Sequence, residues 1–465
     1  MVEESALLLD GMEEHSKPPP IDRTVYSICV LLGVGFLMPW NVIINSLDYF
    51  SGLYAPTDPI GRSISFYISA GTTYPGLPLL FLMVRYGNRV PAHVRVVAGF
   101  LLCTAVLTLL PLLSPYSSAV PVALAVVLGV AQVLLQSSLI GITSLLPPAY
   151  SQGFMMGQGL SGVLSSAGQI VVSGVAAGGG GGGGSAPVYV FFGLGVAVML
   201  ACVAGMLRLR TLPMSKRAME GAAAGGGTAA LVEEEGGGGS EDPGAQLLLK
   251  GGGGASRVRP SIVSIVKRTW YNLLAVYTVF LVTFLCVGAA GARPTHTQPT
   301  RTNARVRTHT QAPRRLFPGV LLSKIPYRGA FGAAGSYLST SGWWGVVVLA
   351  VFNTFDTVGR TLPSLRWLAA FAPERTLLLC ALARFAFVPF FLGVAHGWAP
   401  WMGDVAAMLG VVAYAVSNGF FASLSLMRAP QGVEPGAEQE VTGFILSVAI
   451  NVGIFSGSQL ALLFA

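Results

Sequence analysis

The chain has 465 residues, of which 53% are hydrophobic and only 10% are charged, and its mean hydropathy is +0.65. This composition excludes an ordinary soluble domain and is typical of a protein that crosses a membrane many times. We attribute the net charge of +8 mostly to basic loops that face anionic lipid of the inner leaflet. We therefore predict that the partner is the lipid bilayer and that the chain does not bind nucleic acid.

Apolar segments long enough to span a bilayer follow one another along the chain. A hydrocarbon core about 30 Å thick requires roughly 20 helical residues per crossing. Lipid cannot satisfy free backbone polar groups, so each segment is predicted to be a helix. The segments are 24–47, 63–84, 94–113, 119–142, 152–176, 187–207, 270–291, 341–362, 374–395, 402–427 and 441–464. We therefore predict an all-α polytopic membrane protein with eleven transmembrane helices in a 6+5 arrangement.

A change of composition separates the two groups of helices. Residues 211–260 are rich in Gly, Ala and Glu and cannot bury enough apolar area to order themselves. The predicted divisions are a cytoplasmic tail (1–23), a six-helix half (24–209), a flexible cytoplasmic linker (210–268) and a five-helix half (269–465).

One segment of the second half conflicts with the rest of the chain. Residues 292–315, ARPTHTQPTRTNARVRTHTQAPRR, place many arginines in a loop predicted to be external. Their Thr-His and Arg-Thr dipeptides resemble translated simple-repeat nucleotide sequence. We interpret the segment as a retained intron or gene-model error; a lineage-specific disordered loop is the alternative.

Loop charge predicts the orientation of the bundle. Eleven crossings put the termini on opposite sides, and cytoplasmic loops carry an excess of Lys and Arg. With a cytoplasmic N-terminus, the external loops before residue 290 and after residue 340 carry Arg62 alone. We therefore predict a cytoplasmic N-terminus and an external or luminal C-terminus, in the plasma membrane rather than the vacuole.

The stretch 350-AVFNTFDTVGR-360 puts polar residues inside an apolar helix. Asn353, Asp356 and Arg360 share one helical face, and the two charged residues are spaced for pairing at i, i+4. Charges at the bilayer centre cost about 2.5–3.5 kcal/mol each on insertion scales, so they should face the bundle interior or a water-filled cavity. We favour a functional role for them over an interhelical clamp.

Other helices carry polar or aromatic candidates whose roles the pattern leaves open. Trp40, next to Asn41 in the first helix, offers a ring for stacking an aromatic base or for the membrane interface. The amide of Gln136 in the fourth helix suits a nucleobase edge or a neighbouring helix. Arg95 and Glu440, at the starts of the third and eleventh helices, form either a gate or a pair of exposed loop charges.

The fifth helix favours close packing rather than ligand binding. Small residues recur at 153, 157, 161 and 165, a spacing that lets helix backbones approach. The glycines assigned to helix packing are Gly153, Gly157, Gly159 and Gly162. No nucleophile elbow, zinc-protease or phosphate-loop motif occurs in the sequence, so we predict no enzyme activity, no cofactor and no metal site.

Several of these stretches together resemble the equilibrative nucleoside transporter family. The motifs that carry the resemblance are PWN (Pro39–Asn41), the glutamine-bearing fourth helix, GQGLSG (157–162), FNTFD with GR (352–360), ARFAFVP (383–389) and SNGFFAS (417–423). The resemblance implies an architecture similar to the major facilitator fold, with a nucleoside site between the halves and alternating access of those halves.

The resemblance also implies roles for single residues. Asp356 and Arg360 would bind ribose hydroxyls, and Gln136 would bind the base edge. Leu37 and Trp40 would pack against the nucleoside. Asn41 and Asn353 would support the site, and Arg95 with Glu440 would close one gate. Transport would be facilitated or proton-coupled, with nucleobases as further candidate substrates.

Three alternatives to nucleoside transport remain open from the sequence. A carrier of sugars or another small polar metabolite would show competition by glucose rather than uridine. If the protein is a non-transporting membrane scaffold or receptor, Asp356→Asn and Arg360→Lys would leave cellular uptake unchanged while surface expression persists. A defective gene product would gain expression and uptake when 292–315 is deleted.

Overall fold

The computed structural model of the chain describes most of the predicted membrane portion. The described residues are 21–54, 57–178, 186–224, 261–287, 325, 327–330, 332, 335–336, 344–370, 373–396, 398 and 403–461. They are mostly helical and contain no strand, which confirms the predicted all-α class. The predicted insert 292–315 and most of the predicted linker lie outside the described residues.

Long helices, labelled α1 to α11 in chain order, form the bundle. Their bounds are α1 Arg23–Asn45, α2 Ile64–Thr73 and Gly76–Tyr86, α3 Ala92–Leu113, α4 Ala119–Ser144, α5 Pro148–Gly178, α6 Ala186–Thr211, α7 Ile262–Val287, α8 Trp344–Thr361, α9 Glu374–Ala383 and Phe387–His396, α10 Asp404–Arg428, and α11 Ala437–Ala461. Short helices at Leu47–Leu53, Pro213–Ala224 and Arg366–Ala370 join or extend them.

Ten helices among the described residues are long and apolar enough to cross a membrane. The eleventh predicted crossing corresponds to α5, which is not among those ten. At 1.5 Å per residue, its 31 residues are long enough to cross a bilayer. It contains many Gly, Ser and Gln residues, and it packs against α1, α8 and α10.

Two of the helices are interrupted near prolines. α2 breaks at Tyr74 and Pro75, and α9 passes through a 3₁₀ turn at Arg384–Ala386 before Pro389. Proline cannot donate the backbone hydrogen bond to the residue four positions earlier, so the α-helical pattern is lost locally. The sequence predicts one continuous helix over 63–84 and another over 374–395, whereas each is divided in the structure.

The helices form two groups that meet along two seams. In the first group α1 packs on α5 and α6, and α3 packs on α4 and α6. In the second group α7 packs on α9, α10 and α11, and α8 packs on α10. One seam joins α5 to α8 and α10, and the other joins α2 and α4 to α11. The polar residues of α8 and α4 therefore lie where the two groups meet.

Glycines bring α8 and α10 into backbone contact. A Cβ atom on Gly419 would overlap the Asp356 carbonyl oxygen, and one on Gly359 would overlap the Val416 carbonyl oxygen. Without side chains at these positions, the two helices approach closely enough for short polar side chains to meet. The contact brings Asn418 within reach of the Asp356 carboxylate.

Candidate functional site

Asp356 and Arg360 form a buried ion pair on α8. Arg360 Nε donates to Asp356 Oδ2 at 2.8 Å, and the two residues are only 5% and 6% exposed. Their i, i+4 spacing puts both on one helical face, as the sequence indicates. The pair faces the protein interior.

The second oxygen of Asp356 is bound from another helix. Asn418 Nδ2 on α10 donates to Asp356 Oδ1 at 2.7 Å. Thr283 Oγ1 on α7 lies 2.6 Å from Asn418 Oδ1. The carboxylate is thus connected through three helices of the second half.

A second buried arginine ends this chain of contacts. Arg384 on α9 is 2% exposed and has no ion-pair partner among the described residues. It donates to Thr283 Oγ1 at 3.2 Å and to the Val279 carbonyl at 2.9 Å, and its guanidinium lies 5.0 Å from the Tyr414 ring centroid. Neutral oxygens and an aromatic face take the place of a carboxylate.

Arg360 also reaches across to α5 in the other half. Its Nη1 lies 3.4 Å from the Met155 carbonyl and 3.5 Å from Gln158 Oε1. Gln152 Nε2 on α5 donates to the Arg360 carbonyl at 3.4 Å and to the Thr361 carbonyl at 3.3 Å. The ion pair therefore lies at the seam between the halves, where their relative movement would change its contacts.

The two predicted supporting asparagines both bind α5. Asn353 Nδ2 donates to Ser166 Oγ at 3.1 Å, which links α8 to α5. Asn41 Nδ2 donates to Ser161 Oγ at 3.0 Å, which links α1 to α5. The structure thus brings Asn41 and Asn353 to one helix, each as an interhelical contact.

Trp40 and Leu37 are half-buried on α1. Leu37 packs against the main hydrophobic core, which draws on helices of both halves. Neither side chain makes a contact with the Asp356 ion pair among the interactions of the described residues, so their predicted packing against a nucleoside stays a prediction.

Gln136 on α4 contacts the opposite half. Its Oε1 accepts a hydrogen bond from Asn451 Nδ2 on α11 at 2.6 Å. One turn earlier, Gln132 Nε2 is buried without a hydrogen-bond partner in the described part of the chain. The amide of Gln136 is therefore part of the seam between α4 and α11, and its amino group makes no hydrogen bond within the part of the chain that the structure describes.

Arg95 and Glu440 form a buried ion pair across the same seam. Arg95 Nη2 donates to Glu440 Oε1 at 2.6 Å, with side chains only 4% and 11% exposed. Arg95 also donates to Ser138 Oγ and to the Gly87 carbonyl, and it lies over the Phe444 ring. The pair is buried, unlike the exposed pair that the sequence allowed, and it lies at the end of the bundle here called the Arg95 end.

The glycines of α5 contact two different helices. A Cβ atom on Gly153 would meet the Tyr26 ring at 2.9 Å, and one on Gly157 would overlap the Val30 carbonyl oxygen, both on α1. A Cβ atom on Gly159 would lie 2.7 Å from Thr357 Oγ1, and one on Gly162 would lie 3.0 Å from Asn353, both on α8. All of them allow close helix packing, and two of them border the Asp356 site.

Sequence reasoning missed the partners that other helices supply. The sequence alone predicts no contact for Asn418, Thr283 or Asn451, although Asn418 stands in the SNGFFAS stretch. A polar residue beside a helix-packing glycine, as in Asn418-Gly419, was the available signal for a buried contact.

Comparison with known proteins shows where the chain is similar to others. A family model described as "Nucleoside transporter" matches residues 122–305 and 319–465, which together make up more than half of the chain. The chain is 27% identical to equilibrative nucleotide transporter 1 of Arabidopsis thaliana, over 98% of this chain and 90% of that protein. It is 24% identical to equilibrative nucleoside transporter 2 of Rattus norvegicus, over 93% and 95%.

A solved structure supports the fold. The chain is similar to the major facilitator superfamily transporter FucP in its outward conformation, with a TM-score of 0.53 and 11% identity over 95% of this chain and 97% of that one. At this identity the similarity shows the fold alone, and it confirms the predicted major facilitator architecture.

Proposed function

The chain belongs to the nucleoside transporter family, and we propose that its two halves carry a nucleoside between them by alternating access around the Asp356–Arg360 pair. It is an integral membrane protein that transports nucleosides, and its family and fold are those of transporters rather than of enzymes. Rocking of α1–α6 against α7–α11 would expose the site to each side in turn.

The burial of the ion pair at the seam is the observation that carries this proposal. A carboxylate offers about four lone-pair positions, and Asp356 uses one for Arg360 and one for Asn418. The remaining positions suit ribose hydroxyls, which donate hydrogen bonds. Arg360 supplies donors for the hydroxyl oxygens, because a guanidinium carries five N–H groups.

The base of the nucleoside is assigned to the first half. Gln136 keeps an amino group for a base acceptor while its carbonyl oxygen is bound by Asn451. Trp40 and Leu37 supply a half-buried aromatic and apolar surface on α1. Sugar and base would then contact different halves, so that the nucleoside itself bridges the seam.

The Arg95–Glu440 pair is proposed as the gate at the Arg95 end. It joins α3 to α11 across the seam and is buried together with the Phe444 ring. Breaking a buried pair leaves an uncompensated charge, so the pair stabilises the closed arrangement. Loop charge favours the cytoplasmic side for this end, with a cytoplasmic N-terminus and the plasma membrane as the location.

Uptake by a transport-deficient host tests the function. We expect the expressed chain to take up labelled adenosine, and uridine to compete for it while glucose does not. Competition by glucose alone would indicate a sugar carrier, and absence of uptake by surface-expressed protein would favour a scaffold. Uptake at two external pH values separates facilitated from proton-coupled transport, and adenine as competitor tests nucleobase binding.

Deletion of residues 292–315 is the companion experiment. If the segment is an intron-derived insert, its removal raises surface expression and uptake together. Equal uptake with and without the segment would identify it as an ordinary loop of the protein.

A further inference from the structure

The amide of Asn418 can take only one orientation beside Asp356. An ionised carboxylate accepts hydrogen bonds and cannot donate them, so the amino group of Asn418 must face it, at 2.7 Å. The Asn418 carbonyl oxygen then faces Thr283 Oγ1 at 2.6 Å. The orientation of the Asn418 amide, and through it that of the Asp356 carboxylate, therefore depends on where Thr283 lies.

The Thr283 hydroxyl is the donor available to the Asn418 carbonyl oxygen. This hydroxyl has one proton and two nearby acceptors, Asn418 Oδ1 and the Val279 carbonyl. Arg384 Nη1 already donates to the Val279 carbonyl at 2.9 Å, and Arg384 Nη2 donates to the hydroxyl oxygen at 3.2 Å. Because Arg384 can only donate, the hydroxyl accepts from it and gives its one proton to Asn418 Oδ1 at 2.6 Å or to the Val279 carbonyl at 2.7 Å. The Asn418 oxygen has no proton of its own, so a Thr283–Asn418 hydrogen bond forms only when Thr283 donates.

Arg384 is a rigid starting point for this series of bonds. Besides its contacts to α7, its Nε donates to Ser417 Oγ at 3.2 Å and its Nη2 lies 3.4 Å from the Tyr414 carbonyl, both on α10. A planar guanidinium bound on several sides cannot rotate without losing several bonds at once. Arg384 has no hydrogen bond to Asp356 or Arg360 in the described structure, so any effect on them acts through Thr283 and Asn418.

We propose that Arg384, Thr283 and Asn418 are positioning residues that orient the Asp356 carboxylate towards a ribose hydroxyl and so make the site prefer ribonucleosides over dideoxynucleosides. The inference rests on the proposed function, in which Asp356 binds ribose. Arg384 donates to Thr283, Thr283 can donate to Asn418, and Asn418 donates to Asp356; aligned hydrogen bonds of this kind strengthen one another. If the Thr283 hydroxyl is lost, the Asn418 amide can rotate. The Asp356 carboxylate is then no longer held at a fixed angle.

Thr283→Val is the test variant because it removes the hydroxyl and keeps the shape of the side chain. The measurement is KM for uridine and for 2′,3′-dideoxyuridine on one preparation, since a ratio of KM values does not depend on the amount of active protein. Thr278→Val is the matched control. Thr278 is also buried on α7, and its hydroxyl bonds the Leu274 carbonyl of its own helix. Thr283→Ser keeps the hydroxyl and serves as the rescue.

We expect Thr283→Val to raise KM for uridine about tenfold, the effect of losing one well-placed hydrogen bond, and to leave KM for dideoxyuridine within about twofold. Thr283→Ser and Thr278→Val should keep the wild-type ratio. An equal rise for both nucleosides, an unchanged ratio, or the same shift in Thr278→Val would overturn the proposal.

Asn418→Ala and the wild type provide two further measurements. Asn418→Ala removes the donor to Asp356 and should change the ratio in the same direction; an unchanged ratio would overturn the proposal even where Thr283→Val does not reach the membrane. Absence of nucleoside uptake by the wild type would refute the proposed function instead, so the two failures are distinguishable.

Discussion

The sequence predicts the contacts of Asp356 within α8 but not its contacts with other helices. The i, i+4 spacing of Asp356 and Arg360 indicates a shared face and a pair, and both are present. The second bond to Asp356 comes from Asn418, sixty-two residues further along the chain. Spacing along one helix carries no information about which side chain of another helix will meet it, so this partner could not be derived.

Gln136 illustrates a choice that the sequence left open. An amide in a membrane helix binds either substrate or another helix, and here its carbonyl oxygen binds Asn451 while the assignment of its amino group to the base is a proposal. Pattern alone could not find Asn451, because the contact depends on how α4 and α11 cross.

If the Gln136 amino group binds the base, its removal should weaken nucleoside binding. Gln136→Met keeps the volume of the side chain and removes the amide, so KM for adenosine should rise about tenfold through loss of one hydrogen bond. Gln459→Met is the control, since Gln459 is a glutamine of α11 whose amide binds the Tyr74 hydroxyl. Equal KM values for wild type and Gln136→Met would remove Gln136 from the site.

Helix α5 shows what small residues in a polar helix accomplish. Its glycines let α1 approach on one side and α8 on the other, and the same helix supplies polar atoms to Asn41, Asn353 and Arg360. The sequence predicted close packing from the recurrence of small residues. Which helices pack there could not be predicted, because glycine spacing does not specify a partner.

Substitution of these glycines should lower stability selectively. A Cβ on Gly157 would overlap backbone of α1, so Gly157→Ala should lower the free energy of unfolding by about 1–3 kcal/mol, the usual cost of overpacking. Gly193→Ala on α6 is the control, since nothing lies within 4 Å of its Cβ position. The measurement is the apparent melting temperature in detergent. If both variants melt together with wild type, close contact between α1 and α5 is not required.

The interruptions of α2 and α9 show the limit of hydropathy for helix bounds. Average apolarity over a window continues through Pro75 and Pro389, whereas the hydrogen-bond pattern does not. The break in α9 falls at Arg384, so the guanidinium leaves from a 3₁₀ turn. The count of crossings could be predicted closely, but the local geometry that places Arg384 could not.

The two-half arrangement follows from the order of the helices, and among the described residues one ion pair, Arg95–Glu440, joins the halves at the Arg95 end. Loop length and hydropathy predict six helices and then five. Only the packing of α4 and α2 on α11 shows that Arg95 and Glu440 meet. The sequence leaves two interpretations of Arg95 and Glu440, a gate or two exposed loop charges. It cannot decide between them, because the burial of an ion pair depends on how the whole bundle packs.

Opening of the Arg95 end should depend on this pair. Ser447 is buried on the α11 face that carries Glu440, Phe444 and Asn451, so Ser447→Cys reports access along the seam. Glu440→Gln, which discharges the pair, should speed its reaction with a thiol reagent about tenfold or more by favouring the open arrangement.

Glu438→Gln is the matched control for the gate. Glu438 also pairs with an arginine, Arg268, at 2.7 Å, but both α7 and α11 belong to the second half. Breaking that pair should leave the labelling rate of Ser447→Cys unchanged. Equal acceleration by Glu438→Gln and Glu440→Gln would mean that general loosening, and not a gate, explains the effect.

Adenosine uptake into proteoliposomes by Asp356→Asn, compared with wild type and with Glu220→Gln, tests the ribose site most directly. Glu220 belongs to an exposed i, i+4 pair with Lys216, so its variant removes the same charge at the same spacing on the surface. We predict that kcat/KM falls by at least about thirtyfold in Asp356→Asn, since a charged hydrogen-bond acceptor is lost, and stays unchanged in Glu220→Gln. Wild-type transport by membrane-inserted Asp356→Asn would contradict the account.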